Sequence, residues 1–176
     1  VREATKNAEA VWNPVLEEVK AHGGAATAVS HSRRIAAGIL SLGQDMDYET
    51  SPFQVNLGYQ IPENKDVDYV GKAELERQQE IVENGGFPFE HKLVGLKIAG
   101  DPIKDWAADF WLISDPETGE ECGYLTSAWW NPELETNIGL GYVPAETLQD
   151  ATDVPLNDAI YDADLDVEFA VHLPDE

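Results

Sequence analysis

Basic side chains are the scarcest class in this sequence: eleven Lys and Arg stand against 34 Asp and Glu, a formal net charge of −23. A field of that sign repels the phosphates of nucleic acids and of anionic lipids, so both are disfavoured as partners. Cysteine is nearly absent. Cys122 alone closes no intrachain disulfide, which makes a reducing, cytoplasmic setting the expectation. No apolar run approaches the length that spans a bilayer. His22, His31, His91 and His172 are scattered, with no His-x-x-x-His or Cys/His cluster to hold zinc. No glycine-rich phosphate loop occurs, since Gly139 and Gly141 fall inside a predicted strand. Asp45, Asp47 and Glu49 alternate as in a calcium loop, but the following glycine and bidentate glutamate are missing at loop spacing. No metal is expected.

What is present reads as a folded chain. Hydrophobic residues make up 43% and aromatics 9%, so the acidity does not mark a disordered segment. A length of 176 residues buries one good core or two small ones. The acids are spread evenly rather than gathered in a tail, which suggests a surface adapted to high salt, where screening shortens repulsion to about 3 Å at 1 M. The start, Val1-Arg2-Glu3-Ala4, carries no initiating Met and no signal-peptide pattern, and reads as an entry in mid-sequence.

The hydrophobic period changes once along the chain. Asn7 to His22 has Val11, Val15 and Val19 at helical spacing, widened by Trp12 and Leu16, and stops at Gly23-Gly24. A second helix is expected from Ser30, a plausible N-cap, to Gly43, with Ile35, Ile39 and Leu42 on one face. Phe53 to Tyr59 reads as extended, and Gly71 to Val82 as a short polar helix. After the linker Asn84-Gly85-Gly86-Phe87-Pro88, short apolar segments follow at 92–99, 109–114, 121–129, 138–143 and 166–173, each patterned as a strand. Asp115 to Gly119 is a hairpin loop, and Pro144 to Asp150 one helical turn. The fold class expected is α+β: a mostly helical region over 1–87, then a small antiparallel β-barrel over 88–176.

Four blocks in order carry a resemblance. The first is Gly43, Asp45 and Asp47, followed by Pro52-Phe53 and Leu57 and by Asp68, Gly71-Lys72 and Leu75. The second is Lys92-Leu93-Val94-Gly95-Leu96, and the third is Gly123-Tyr124-Leu125-Thr126-Ser127 with Asn131-Pro132-Glu133-Leu134 and Ile138-Gly139-Leu140-Gly141. The fourth is the closing Val171-His172-Leu173-Pro174. This series resembles the tetrahydrofolate-dependent aminomethyltransferases, the T-proteins of the glycine cleavage system, and their demethylase relatives. The resemblance implies that residues 1–87 are part of a folate-binding core and that tetrahydrofolate is the one-carbon acceptor. It also implies a methylated amine, sulfonium or ether as donor, and a catalytic N-terminal half as partner. The catalytic acid and the pterin-gripping glutamate would then lie upstream of residue 1, and the chain alone would be inactive. The family's arginine for the folate tail is replaced by Ser30 and a nearby tyrosine by Ile39. Arg33 to Ser41 is similar to the demethylase version of the helix, which favours that branch. The alternative is a non-catalytic folate-binding or iron–sulfur-assembly relative, but that branch's cysteine signature is missing at Val70-Gly71-Lys72. A free-standing acidic β domain used for protein contacts is the third reading.

Arg34, Trp129 and Trp130 are the candidate ligand residues. Arg33 and Arg34 stand out among only four arginines. Arg34 would meet a ligand carboxylate or pair with Asp45 or with a residue of the other half. Strand alternation should bury one of Trp129 and Trp130 in the barrel and expose the other, where it would overhang the folate mouth. Cys122, inside a strand, is expected to be an inert thiol.

Overall fold

The apolar segments after Phe89 pair into one antiparallel sheet. A computed structural model describes residues 7–61, 67–105, 109–153, 155–156 and 165–172. Its strands are β1 (His91–Ile98), β2 (Trp111–Ser114), β3 (Glu121–Asn131), β4 (Thr136–Pro144) and β5 (Ala170–Val171). Their order is β1-β4-β3-β2-β5, and the sheet curls as a half-barrel with β1 and β5 at its edges. The fold class is thus α+β, as expected. The last strand is shorter than its predicted span, and Leu173 lies outside the described residues. The hairpin loop is built as predicted: Asp115 Oδ1 accepts from the backbone N–H groups of Glu117 and Thr118 at 2.8 Å each.

Alternation sorts the strand residues into two cores. Val94, Ile98, Trp111, Ile113, Leu125, Ala128 and Val143 fill one face, joined by Leu148 of helix α4 (Ala145–Asp150). Ile113 and Val143 are fully buried, and burying each such side chain contributes about 1.5–3 kcal/mol. Gly139 makes this packing fit. A Cβ there would lie 2.8 Å from Leu125 Cδ1 and from the Ser127 carbonyl oxygen. Leu93, Ile138, Leu140 and Tyr142 face the other way and meet Ile35 and Val55.

That second face is covered by residues 31–57. Helix α2 (His31–Ala36) starts where predicted but ends at Ala36, not Gly43. Gly38 adopts φ 63°, its N–H bonds the Ile35 carbonyl, and the Ile39 N–H bonds the Arg34 carbonyl, which closes the helix in a Schellman motif. Ile39 and Leu42, expected on the helix face, are therefore exposed. Phe53 to Tyr59 is also not extended. Turn bonds from Gln54 N to Ser51 O and from Leu57 N to Pro52 O coil it, and Gly58–Gln60 is a 3-10 turn. Phe53 and Val55 are buried all the same. Helix α3 (Lys72–Glu83) follows its prediction within a residue, and Ser51 donates to its buried Gln78 at 2.7 Å.

The chain divides into two units, Val1–Ser30 and His31–Glu176, and everything above belongs to the second. In the first, helix α1 (Ala8–Ala21) forms over the predicted span, although Pro14 removes one of its internal hydrogen bonds. None of its residues is buried, and Val11, Trp12 and Val15 are exposed. Among the described residues, no helix is long and apolar enough to cross a membrane.

Candidate functional site

Adjacent strand residues normally point to opposite faces. In β3 the register against β4 shifts between Leu125 and Ser127, a β-bulge at Thr126. The bulge resets the alternation, and two neighbouring hydroxyls come to one atom. Thr126 Oγ1 and Ser127 Oγ both donate to Asp45 Oδ1, each at 2.6 Å. The other carboxylate oxygen, Oδ2, accepts from Arg34 Nη1 at 2.8 Å and from the Ser41 N–H at 2.8 Å. Tyr142 donates to the Asp45 carbonyl at 2.9 Å, and Gln44 Nε2 donates to the Thr126 carbonyl. The Asp45 side chain is 0% exposed and that of Arg34 only 10%. This is a buried ion pair whose hydrogen-bonding capacity is filled from both partners, the condition under which burying charge is tolerated.

Local structure explains how Asp45 arrives there. Asp45 N–H bonds back to the Ser41 carbonyl, and Gly43 N–H to that of Met46, so a tight turn carries the carboxylate onto the sheet. Arg34, on the last turn of α2, also donates to Ser127 Oγ at 2.7 Å, to the Ile39 carbonyl at 3.4 Å, and through Nε to His31 Nδ1 at 3.4 Å. The His31 ring packs on Trp129 with centroids 5.0 Å apart. Arg34 and Trp129 are thereby brought into one neighbourhood. Both Trp129 and Trp130 are half-buried, so the expected split into one buried and one exposed ring is not seen. Alternation beyond the bulge places Trp130 on the opposite face from Trp129.

Other titratable groups report their surroundings. Burial pushes Tyr142 up to about 12. Lys92, buried with its ammonium on the Phe53 carbonyl at 3.0 Å and over the Phe87 ring, is pushed down to about 8 by burial. Cys122 is raised, first by burial and then by Asp115, so it stays a thiol. Asp47 is held below the usual carboxylate range by the Glu49 N–H and the Thr50 hydroxyl: its carboxylate caps a turn. Among the described residues, no three His, Cys, Asp or Glu side chains converge as a metal site.

The barrel carries its own family signature: the model described as "Glycine cleavage T-protein C-terminal barrel domain" matches residues 91–165. The chain belongs to the glycine cleavage T-protein family. An aminomethyltransferase from Synechococcus sp. (strain CC9902) is 31% identical over 139 residues, which are 79% of this chain and 34% of that protein. Another, from Parasynechococcus marenigrum (strain WH8102), is 37% identical over 111 residues, 63% of this chain and 27% of that protein. The crystal structure of the glycine cleavage system aminomethyltransferase T from Bartonella henselae shares the fold, with a TM-score of 0.53 at 24% identity. The likeness covers 66% of this chain and 30% of that one. The T-protein-like chain thus spans about a third of the length of the relatives it matches.

The Arg34–Asp45 ion pair was one of the partnerships expected from the sequence, but the hydroxyls gathered round Asp45 were not. Asp45 stood in the motif as part of an acidic turn. The signal was a rare arginine followed by an acidic turn whose first acid is Asp45. Thr126 and Ser127 stood in a motif block, but their convergence on Asp45 was not signalled, because the bulge that aligns them depends on β4.

Proposed function

We propose that this chain is the C-terminal part of a folate-dependent one-carbon transferase of the aminomethyltransferase kind, moving carbon from a methylated amine, sulfonium or ether to tetrahydrofolate. In this reading, residues 1–87 complete a folate-binding core and 88–176 form the barrel beside it. The catalytic acid and the pterin contact come from sequence outside these residues, supplied by an N-terminal half. The observation that carries the reading is the Asp45 seam, which fastens the family's motif segment to the barrel and sets Trp129 beside Arg34.

The residues fit a folate in part. The half-buried Trp129 and His31 rings suit the side of a planar heterocycle. The tail positions do not: Ser30 carries no charge, Ile39 is exposed, and the Arg34 guanidinium is engaged by Asp45 and Ser127. Arg34 accordingly serves as a scaffold for the wall. Trp130 belongs to the proposal as a second ring at the same strand end. The relatives' names favour the aminomethyltransferase side, while Ser30 in place of the tail arginine favours the demethylase branch, so the donor stays within the three classes named. The acidic surface is read as salt-adapted, working in a saline cytoplasm.

The experiment has two arms. The chain is titrated with tetrahydrofolate while tryptophan emission is followed in Trp129→Phe and Trp130→Phe variants, and turnover of methylated donors is assayed. Quenching that depends on Trp129, with no turnover by the chain alone, is the expected result. Turnover by the 176 residues alone, or quenching that neither variant alters, would sink the reading.

A further inference from the structure

We propose that Asp45 is a positioning residue that fixes the tautomer and the ring plane of His31 through Arg34. The proposal rests on the reading of His31 and Trp129 as a wall for the folate ring. Asp45 acts through Arg34. Its carboxylate holds Arg34 Nη1 at 2.8 Å, and Ser127 Oγ, itself bound to Asp45, holds Arg34 Nη2 at 2.7 Å. A planar guanidinium gripped at both terminal nitrogens has no remaining freedom about its axis. Its Nε–H is therefore delivered in one direction, onto His31 Nδ1 at 3.4 Å.

An arginine donates at every nitrogen and accepts at none. His31 Nδ1 must then be the accepting nitrogen, and the proton of the neutral ring sits on Nε2. The ring so oriented is the one that packs on Trp129 at 5.0 Å. The arrangement reads outward as a relay, from a dry carboxylate to a clamped guanidinium, to a histidine of set tautomer, to a half-buried tryptophan. A carboxylate is needed at its root. The amide of an asparagine would turn an N–H toward at least one of the four donors that Asp45 now accepts.

The test uses the 15N-labelled chain in wild-type, Asp45→Asn and Arg34→Lys forms, with His31→Gln to assign the ring signals. Long-range 1H–15N spectra distinguish the two imidazole tautomers. The wild type should show a single form, with Nδ1 unprotonated and Nε2 protonated. Asp45→Asn should give mixed tautomers and weaken tetrahydrofolate binding about tenfold. Arg34→Lys keeps a cation for Asp45 but has no Nε–H, so it should also release the tautomer, and it decides the matter if Asp45→Asn does not fold. A His31 that keeps the single tautomer in a folded variant overturns the proposal. A wild type that shows the set tautomer but binds no tetrahydrofolate overturns the folate reading and leaves the relay standing.

Discussion

The two faces of the sheet are covered by different chemistry. On one, Leu125, Ile113, Val143 and Ile98 interlock over Gly139 with hardly a polar atom among them. On the other, apolar contacts from Ile35 and Val55 share the work with a carboxylate that gathers Arg34, Ser41, Thr126 and Ser127. Apolar packing is non-directional and accepts many arrangements of about the right volume. A buried charge accepts only the arrangement that satisfies it. The apolar face therefore holds the barrel together, and the polar face determines where the motif segment sits on it.

Three substitutions set the two faces against each other. The largest effect belongs to the polar face: Asp45→Ala leaves the Arg34 charge buried and unpaired and should cost about 3–5 kcal/mol in urea unfolding. A loss below about 1 kcal/mol, the worth of one ordinary hydrogen bond, would reduce the seam to decoration. Lys92 comes next. Its pKa of about 8 in the folded chain lies below its ordinary 10.5, so the folded state binds fewer protons than the unfolded one between those values. Stability should rise by about 3 kcal/mol as pH climbs through that window and fall again on return. Unfolding at pH 7 and pH 10 in wild type and Lys92→Met checks this, the variant being expected to show a flatter profile. The apolar face gives the smallest effect. Gly139→Ala drives a Cβ against the Ser127 carbonyl and Leu125, and should cost about 1–3 kcal/mol by overpacking. An unchanged melting temperature would mean that this face is loosely filled.

The legible parts of the fold were those that depend on local pattern. Strands β1 to β4, α3 and the Asp115 hairpin follow from alternation, helical period and turn residues near at hand. The end of α2 was overrun because Ile35, Ile39 and Leu42 keep a helical period across Gly38, while the backbone leaves the helix there. The Phe53 segment looked extended because it is apolar, and its turns depend on bonds that composition does not reveal. The site was half legible. Arg34 was recognised by its rarity, but the partners of Asp45 lie 81, 82 and 97 residues away, at Thr126, Ser127 and Tyr142. A bulge set by a neighbouring strand brings two of them round, and nothing in the Thr126-Ser127 dipeptide announces it.

Native-state amide hydrogen exchange on Asp45→Asn beside the wild type tests the account most directly, because it reports stability segment by segment. If Asp45 fastens the motif segment, the amides of Asp45, Gln54 and Leu57 should lose protection. So should that of Leu93, whose N–H bonds the Gln54 carbonyl at 2.9 Å. Amides in the β3–β4 ladder should keep theirs. Protection that stays unchanged in the segment, or that falls by the same factor throughout the sheet, would contradict it.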